Sequence, residues 1–193
     1  RLMGEDEEGT LARLKLHRRD LVDAKVEEHR GRIVKSTGDG ILIEFASVVD
    51  AVRCGVEMQE GMDIRNVGIP ERNRIDLRVG VNLGDIIVDG DDIHGDGVNI
   101  AARLEGLAQP GGVCISQTVL DHVQGKVPFE VEDAGEQSLK NIDRPVRVYH
   151  IVIGSTKPRT AGRKPTLSLP DKPSIAVLPF QNFSTDPAQD YFA

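Results

Sequence analysis

Apolar residues recur along the chain at two periods, and each change of period marks a change of element. From Asp6 to about His29, Leu11, Leu14, Leu21, Val22 and Val26 stand at mixed spacings of three, four and seven with charged residues between them. That spacing predicts an amphipathic helix, with Gly31 following as its C′ glycine. Two short β-prone runs come next, Arg32-Ile-Val-Lys35 and Ile41-Leu-Ile-Glu-Phe45, separated by Ser36-Thr-Gly-Asp-Gly40. Glycine and aspartate supply turn chemistry there, so the pair reads as a hairpin. Ser47-Val-Val-Asp50 has the spacing of a capping box, and Val48, Val52, Val56 and Met62 carry an apolar face through a second helix ending near Asn66. Val67 to Asn73, with Gly68 and Pro70, reads as a loop. Ile75, Leu77, Val79, Val81 and Leu83 then alternate strictly with Asp76, Arg78, Gly80 and Asn82. This is the clearest strand pattern in the chain, with one face buried.

A glycine- and aspartate-rich segment, Gly84 to Asp96, precedes a third helix from about Val98 to Leu107. Then follow a strand over Gly112–Ser116, a short helix near Thr118–Val123, and β-prone segments at Phe129–Glu132 and Val146–Ile153. The β-α-β order with one hairpin predicts an α+β fold: a ferredoxin-like α/β sandwich with helices flanking a central, mostly antiparallel sheet.

Composition narrows the function. With 39% hydrophobic and 28% charged residues the chain can bury a core, which excludes wholesale disorder. No apolar run approaches the ~20 residues needed to cross a bilayer, and no signal-peptide pattern opens the chain. We therefore expect no membrane span and a cytoplasmic location. The net charge of −7, five Phe, two Tyr and no Trp leave neither a basic field nor an aromatic platform for polymeric nucleic acid. Cys54 and Cys114 sit among apolar neighbours without metal-ligand spacing and read as buried thiols in a reducing compartment. Gly154 to Pro173 changes character. It is rich in Pro, Ser and Thr, and sets Lys157, Arg159, Arg163, Lys164 and Lys172 against Asp171, the composition of a flexible basic linker. From Ser174, Ile175-Ala-Val-Leu-Pro-Phe180 begins another β-rich unit. The expected organisation is residues 1–153 as the main domain, 154–173 as linker, and 174–193 as the start of a second domain.

Three clusters carry candidate chemistry. In Lys35-Ser-Thr-Gly-Asp-Gly40, glycines around Asp39 let the backbone approach a ligand, although a turn aspartate can also serve the turn alone. The run Asp89-Gly-Asp-Asp-Ile-His-Gly-Asp-Gly97 lacks EF-hand ligands at Ile93 and Ile100, so a calcium loop is excluded and an acidic solvated loop remains. In Gly95-Asp-Gly-Val-Asn-Ile-Ala-Ala-Arg103, Asn99 and Arg103 stand four apart at the start of a helix and share a face. An amide beside a guanidinium suits a ribose and a phosphate, or equally a solvent-facing polar pair.

In combination the clusters say more. Lys35-x3-Asp39, the strand Leu77-Arg-Val-Gly-Val-Asn-Leu-Gly-Asp85 and the helix Gly95–Arg103 occur in one order on the expected elements. With these three motifs, residues 1–153 resemble the catalytic domain of the class III nucleotidyl cyclases. The segment from Ser174 resembles the start of the TolB-like region that follows such domains in some bacterial proteins.

The resemblance implies a specific site. Asp39 matches one of two aspartates that hold a pair of Mg²⁺ (or Mn²⁺) ions per site. The other belongs to a strand expected ahead of Arg1. Lys35 and Asp92 match the residues that read the purine, Asp92 being fixed by its seven-residue distance to Asn99 in preference to Asp91. A carboxylate accepts from the amine of adenine while the lysine donates to a ring nitrogen. Guanylyl relatives tend to carry Glu and Cys there, so ATP is the implied substrate. Asn99 would orient the ribose, Arg103 would stabilise the α-phosphoryl charge, and Lys140 is the candidate phosphate-binding lysine. Metal ligands and base-reading residues come from different protomers in this family, which implies a head-to-tail homodimer with composite sites. The expected activity is conversion of ATP to 3′,5′-cyclic AMP and pyrophosphate. The alternatives are a guanylate cyclase or a non-catalytic cyclase-like module for dimerisation or nucleotide sensing.

Overall fold

The computed structural model describes residues 7–37 and 40–154. Asp39, the linker beyond Gly154 and the segment from Ser174 lie outside the described residues. Helix α1 (Glu7–His17), a π-helical segment (Arg18–Asp23) and α2 (Ala24–Glu28) follow one another directly, and His17 and Ala24 at the junctions keep right-handed helical dihedrals. The wider π turn turns the consecutive Leu21 and Val22 both inward, while Leu11, expected on the apolar face, stays exposed. The helix-ending residue is also different from the expected one. Arg30 takes the left-handed conformation (φ 57°), and Gly31 is already the first residue of β1. A Cβ on Gly31 would stand 2.6 Å from the Phe45 ring, so this glycine permits close packing of the hairpin and not a helix cap.

Strands β1 (Gly31–Thr37) and β2 (Gly40–Phe45) form the expected antiparallel hairpin, closed by Thr37 opposite Gly40. The register slips between Ile33 and Lys35, a bulge that changes which face the following residues present. Helix α3 (Val48–Asn66) begins at Ser47, whose hydroxyl accepts from the Asp50 amide. Its buried face, Val52, Cys54, Val56, Met58 and Met62, lies under both the hairpin and the main sheet. Gln59 on that face is fully buried, and its side-chain amide donates to the carbonyls of Leu77 and Gly112 at 3.1 and 2.8 Å.

The main sheet has the order β3-β6-β8-β7, built from β3 (Val79–Val81), β6 (Val113–Ser116), β8 (Val146–Val152) and β7 (Glu130–Gln137). Strands β3 and β6 are parallel, and the other two pairings are antiparallel. The alternating run from Ile75 to Leu83 is thus a ladder strand only over its central three residues. Its flanks lack a continuous partner: Leu77 and Val79 reach the loop before β6 through single bonds to Gly111 and Gly112, while Ile75 is buried against α3 through Met62 and Leu83 is exposed. Every residue of β6 is buried. Helix α4 (Asp96–Leu107) crosses β3 at Gly80, where a Cβ would stand 2.3 Å from the Ala101 carbonyl oxygen. Helix α5 (Gln117–Val123) follows β6 immediately. Both cysteines are free and fully buried, and burial pushes their thiols up, Cys54 to about 12 and Cys114 to about 11. No helix among the described residues is long and apolar enough to cross a membrane.

The acidic segment expected as a loop instead contains a second hairpin, β4 (Ile87–Asp89) and β5 (Asp92–His94). Gly90, at φ 59°, occupies the first of its two loop positions, where such short hairpins demand a left-handed backbone.

Candidate active site

Two hairpins bring together residues far apart in sequence. Lys35, just past the bulge in β1, reaches β5, and its ammonium nitrogen lies 2.7 Å from Oδ2 of Asp92. The two residues are 57 positions apart. The other carboxylate oxygen of Asp92 accepts from the backbone amide of Ile93 at 2.7 Å. Period-two alternation in β5 buries Ile93 on one side and leaves Asp92 and His94 on the other, with His94 Nε2 3.6 Å from Asp92 Oδ2. The hydrogen bond from the Lys35 ammonium holds the Asp92 carboxyl below its ordinary range; desolvation, the next largest effect, opposes it, and the Ile93 amide and His94 add smaller lowering contributions. Both side chains of the pair remain more than one-third exposed (38% and 37%), so the pair contributes little to stability and is open to a ligand.

Asn99 and Arg103 project from the exposed face of α4, while Ile100 and Leu104 of the same helix are buried. Among the described residues neither the Asn99 nor the Arg103 side chain has a hydrogen-bond or ion-pair partner. The helix is fixed from two sides: Asn82 at the end of β3 donates to the Gly97 carbonyl at 3.1 Å, and Gly80 allows direct contact with β3. Lys140 is exposed, but its neighbour Leu139 is buried in the same cluster as Ile100 and Leu104. The connection between β7 and β8 is thereby anchored on the flank of α4. Asp39 lies outside the described residues.

Two cavities open elsewhere. One of about 630 Å³ lies at the carboxyl ends of β3 and β6, with Asn82, Asp85, Asp96, Ser116, Arg144 and Arg147 in its walls. A smaller apolar one, about 190 Å³, is lined by Leu120, Val127, Phe129 and neighbours. None of Lys35, Asp92, Asn99, Arg103 and Lys140 lines either. A third cluster, Glu28, His29 and Glu57, has ligand atoms within 4.8 Å of one another. Lys25 occupies it, with its ammonium 2.7 Å from both glutamates. This is an ion-pair network between α2 and α3. Burial raises the Glu57 carboxyl, but Lys25 and His29 together outweigh it and hold the group low. The residue that the sequence pattern did not single out is His94. Its signal was present in the alternation Asp92-Ile93-His94, which the acidic surroundings disguised as a loop.

A mixed sheet flanked by helices, with polar groups on the strands of two hairpins and on one helix face, is the architecture of a nucleotidyl cyclase domain. Residues 12–153 match the family described as Adenylate and Guanylate cyclase catalytic domain, and the chain belongs to that family. Among curated relatives, a Rhizobium meliloti protein named "Putative adenylate cyclase 3" is 48% identical over the whole of this chain. The chain spans 33% of that relative's length. Among solved structures, an adenylate/guanylate cyclase/hydrolase from Silicibacter pomeroyi superposes with a TM-score of 0.76 at 44% identity, covering 79% of this chain and 88% of that one. The adenylyl cyclase CyaB of P. aeruginosa shares the fold, with a TM-score of 0.59 at 24% identity over 72% of this chain and 80% of its own.

Proposed function

We propose that this domain is an adenylate cyclase, converting ATP to 3′,5′-cyclic AMP and pyrophosphate at sites completed by a second copy of the chain. The observation that carries the choice of ATP is the Lys35–Asp92 pair, one ammonium and one carboxylate held together at an accessible rim. Adenine presents an amine that donates beside a ring nitrogen that accepts, and this pair offers the complementary groups. Guanine presents the reverse pattern.

The chemistry follows from the remaining groups. The ribose 3′-oxygen attacks the α-phosphorus, the bond from that phosphorus to the bridging oxygen of the leaving group breaks, and pyrophosphate departs with the electron pair. The proton of the 3′-hydroxyl is released to solvent. Asn99 orients the ribose. Arg103, always charged and forked, meets the negative charge growing on the α-phosphoryl oxygens. Lys140, on the anchored β7–β8 connection, neutralises the terminal phosphates. Carboxylate and phosphate oxygens form the hard donor set that Mg²⁺ or Mn²⁺ takes. Two such ions, held by Asp39 and by a second carboxylate expected ahead of Arg1, would lower the pKa of the 3′-hydroxyl and neutralise the triphosphate. Among the described residues β2 and β3 each have one ladder partner, β1 and β6 respectively. Leu77 and, from β2, Ile41 and Ile43 pack against the same buried cluster of Val22, Val26, Cys54 and Met58, so a further strand set between β2 and β3 would find an unpaired edge on each side and an apolar floor.

The dimeric arrangement is supported by exposure. Asn99, Arg103 and Lys140 are exposed and line neither of the two cavities described above. Ile87 and Val88, on the same hairpin as Asp92, are 68% and 61% exposed, an apolar surface suited to a second copy. The test is direct. The full-length protein supplied with Mg·ATP or Mn·ATP forms cyclic AMP and pyrophosphate, and Arg103→Ala lowers kcat by about 100- to 1,000-fold while the dimer persists. A folded dimer that makes no cyclic AMP contradicts the proposal.

A further inference from the structure

A purine edge that reads the Lys35–Asp92 pair competes with the contact that holds the pair together. At 2.7 Å the ammonium and the carboxylate bond each other directly, and a base that contacts both draws on donors and lone pairs of the same two groups. As Lys35 turns toward the ring nitrogen, its hold on Asp92 Oδ2 weakens. Oδ1 is still held by the Ile93 amide, but rotation about that single contact would carry Oδ2 away from the amine it has to accept from. Among the described residues His94 Nε2 lies 3.6 Å from Oδ2. That distance is longer than a hydrogen bond and short enough to become one by a small ring rotation. The backbone favours this role, because β5 pairs with β4 through Asp89–Asp92, Val88–Ile93 and Ile87–His94. Asp92 and His94 are therefore fixed on one face of a laddered strand, with buried Ile93 as the pivot between them.

We infer that His94 is a positioning residue that takes over Asp92 Oδ2 when Lys35 engages the purine, and so sets the affinity and selectivity of nucleotide capture. The inference rests on the cyclase reading above and adds a residue to its base-recognition site. His94 touches no reacting atom, and its contribution belongs to binding and not to the chemical step.

The experiment measures binding of 3′-deoxy-ATP and 3′-deoxy-GTP, which lack the attacking hydroxyl, to the full-length protein and to His94→Ala, His94→Gln, Asp92→Asn and the Asp92→Asn/His94→Ala double variant. His94→Ala is expected to weaken binding of the preferred nucleotide about threefold to tenfold. His94→Gln, whose amide can still donate, restores part of the loss. In the Asp92→Asn background the His94→Ala effect disappears, and turnover with the natural substrate shows the change in KM with little change in kcat. Equal binding in His94→Ala, or a loss that persists undiminished without the Asp92 carboxylate, overturns the inference. Preference of the parent protein for the guanine nucleotide contradicts the adenylate reading instead. The double-variant cycle then judges His94 on that nucleotide.

Discussion

Strands β4 and β6 are built from similar material and have opposite fates. Ile87-Val-Asp89 and Val113-Cys-Ile-Ser116 are both short and apolar, yet every residue of the first is exposed and every residue of the second is buried. The difference is in their neighbours. Strand β6 has β3 on one edge and β8 on the other, with α3 and α5 against Val113 and Ile115 and α4 against Cys114. Strand β4 has β5 alone. Apolar sequence therefore provides the capacity for burial, and topology decides whether it is used inside the protomer or left at its surface. On the hairpin that bears Asp92 and His94, Ile87 and Val88 are left exposed, where the proposed composite site would set a second copy.

The same charge placed in both strands separates their roles. Ile115→Asp buries a carboxylate with no partner in a fully closed cluster, and is expected to remove at least about 4 kcal/mol of stability or abolish folding. Ile87→Asp is expected to leave the urea midpoint of the protomer within about 0.5 kcal/mol of the parent, while shifting sedimentation toward the monomer. Equal destabilisation by both substitutions would mean that β4 is part of the folding core.

A smaller effect tests how the rigid region supports the exposed one. Gly80→Ala places a methyl where the Ala101 carbonyl and the Glu105 amide stand 2.3 Å away, so α4 must lift from β3. A stability loss of about 1–3 kcal/mol is expected from overpacking. Thermal denaturation measures it, and activity should fall as well because Asn99 and Arg103 ride on α4. A variant with unchanged stability and turnover would separate the helix position from the site.

The same contrast explains how much was legible in sequence. Helix α3 was readable at both ends, since Ser47 announces its cap and Val52, Val56 and Met62 keep a helical period. Strand β6 was readable because buried strands are written in continuous apolar letters. The run from Ile75 to Leu83 alternates along its whole length, but a ladder needs a partner as well as a pattern, and β6 provides one only over Val79–Val81. The π turn before α2 left no mark in composition, and Arg30 took the left-handed position expected of Gly31. At the site, Lys35, Asp39, Asp92, Asn99 and Arg103 were named from motif order. The meeting of Lys35 with Asp92 depends on a bulge and on a hairpin hidden among Asp89, Asp91, Asp92 and Asp96, which polar composition alone reads as solvated loop. His94 became visible only with that hairpin.

The proposal that the exposed rim formed by Lys35 and Asp92 selects adenine is tested by offering the full-length protein equal concentrations of ATP and GTP with Mg²⁺ and measuring both cyclic products, for the parent and for Lys35→Glu/Asp92→Cys. Cyclic AMP in large excess is expected from the parent, and a ratio shifted toward cyclic GMP in the double variant. Predominance of cyclic GMP from the parent, or a product ratio indifferent to both substitutions, would contradict it.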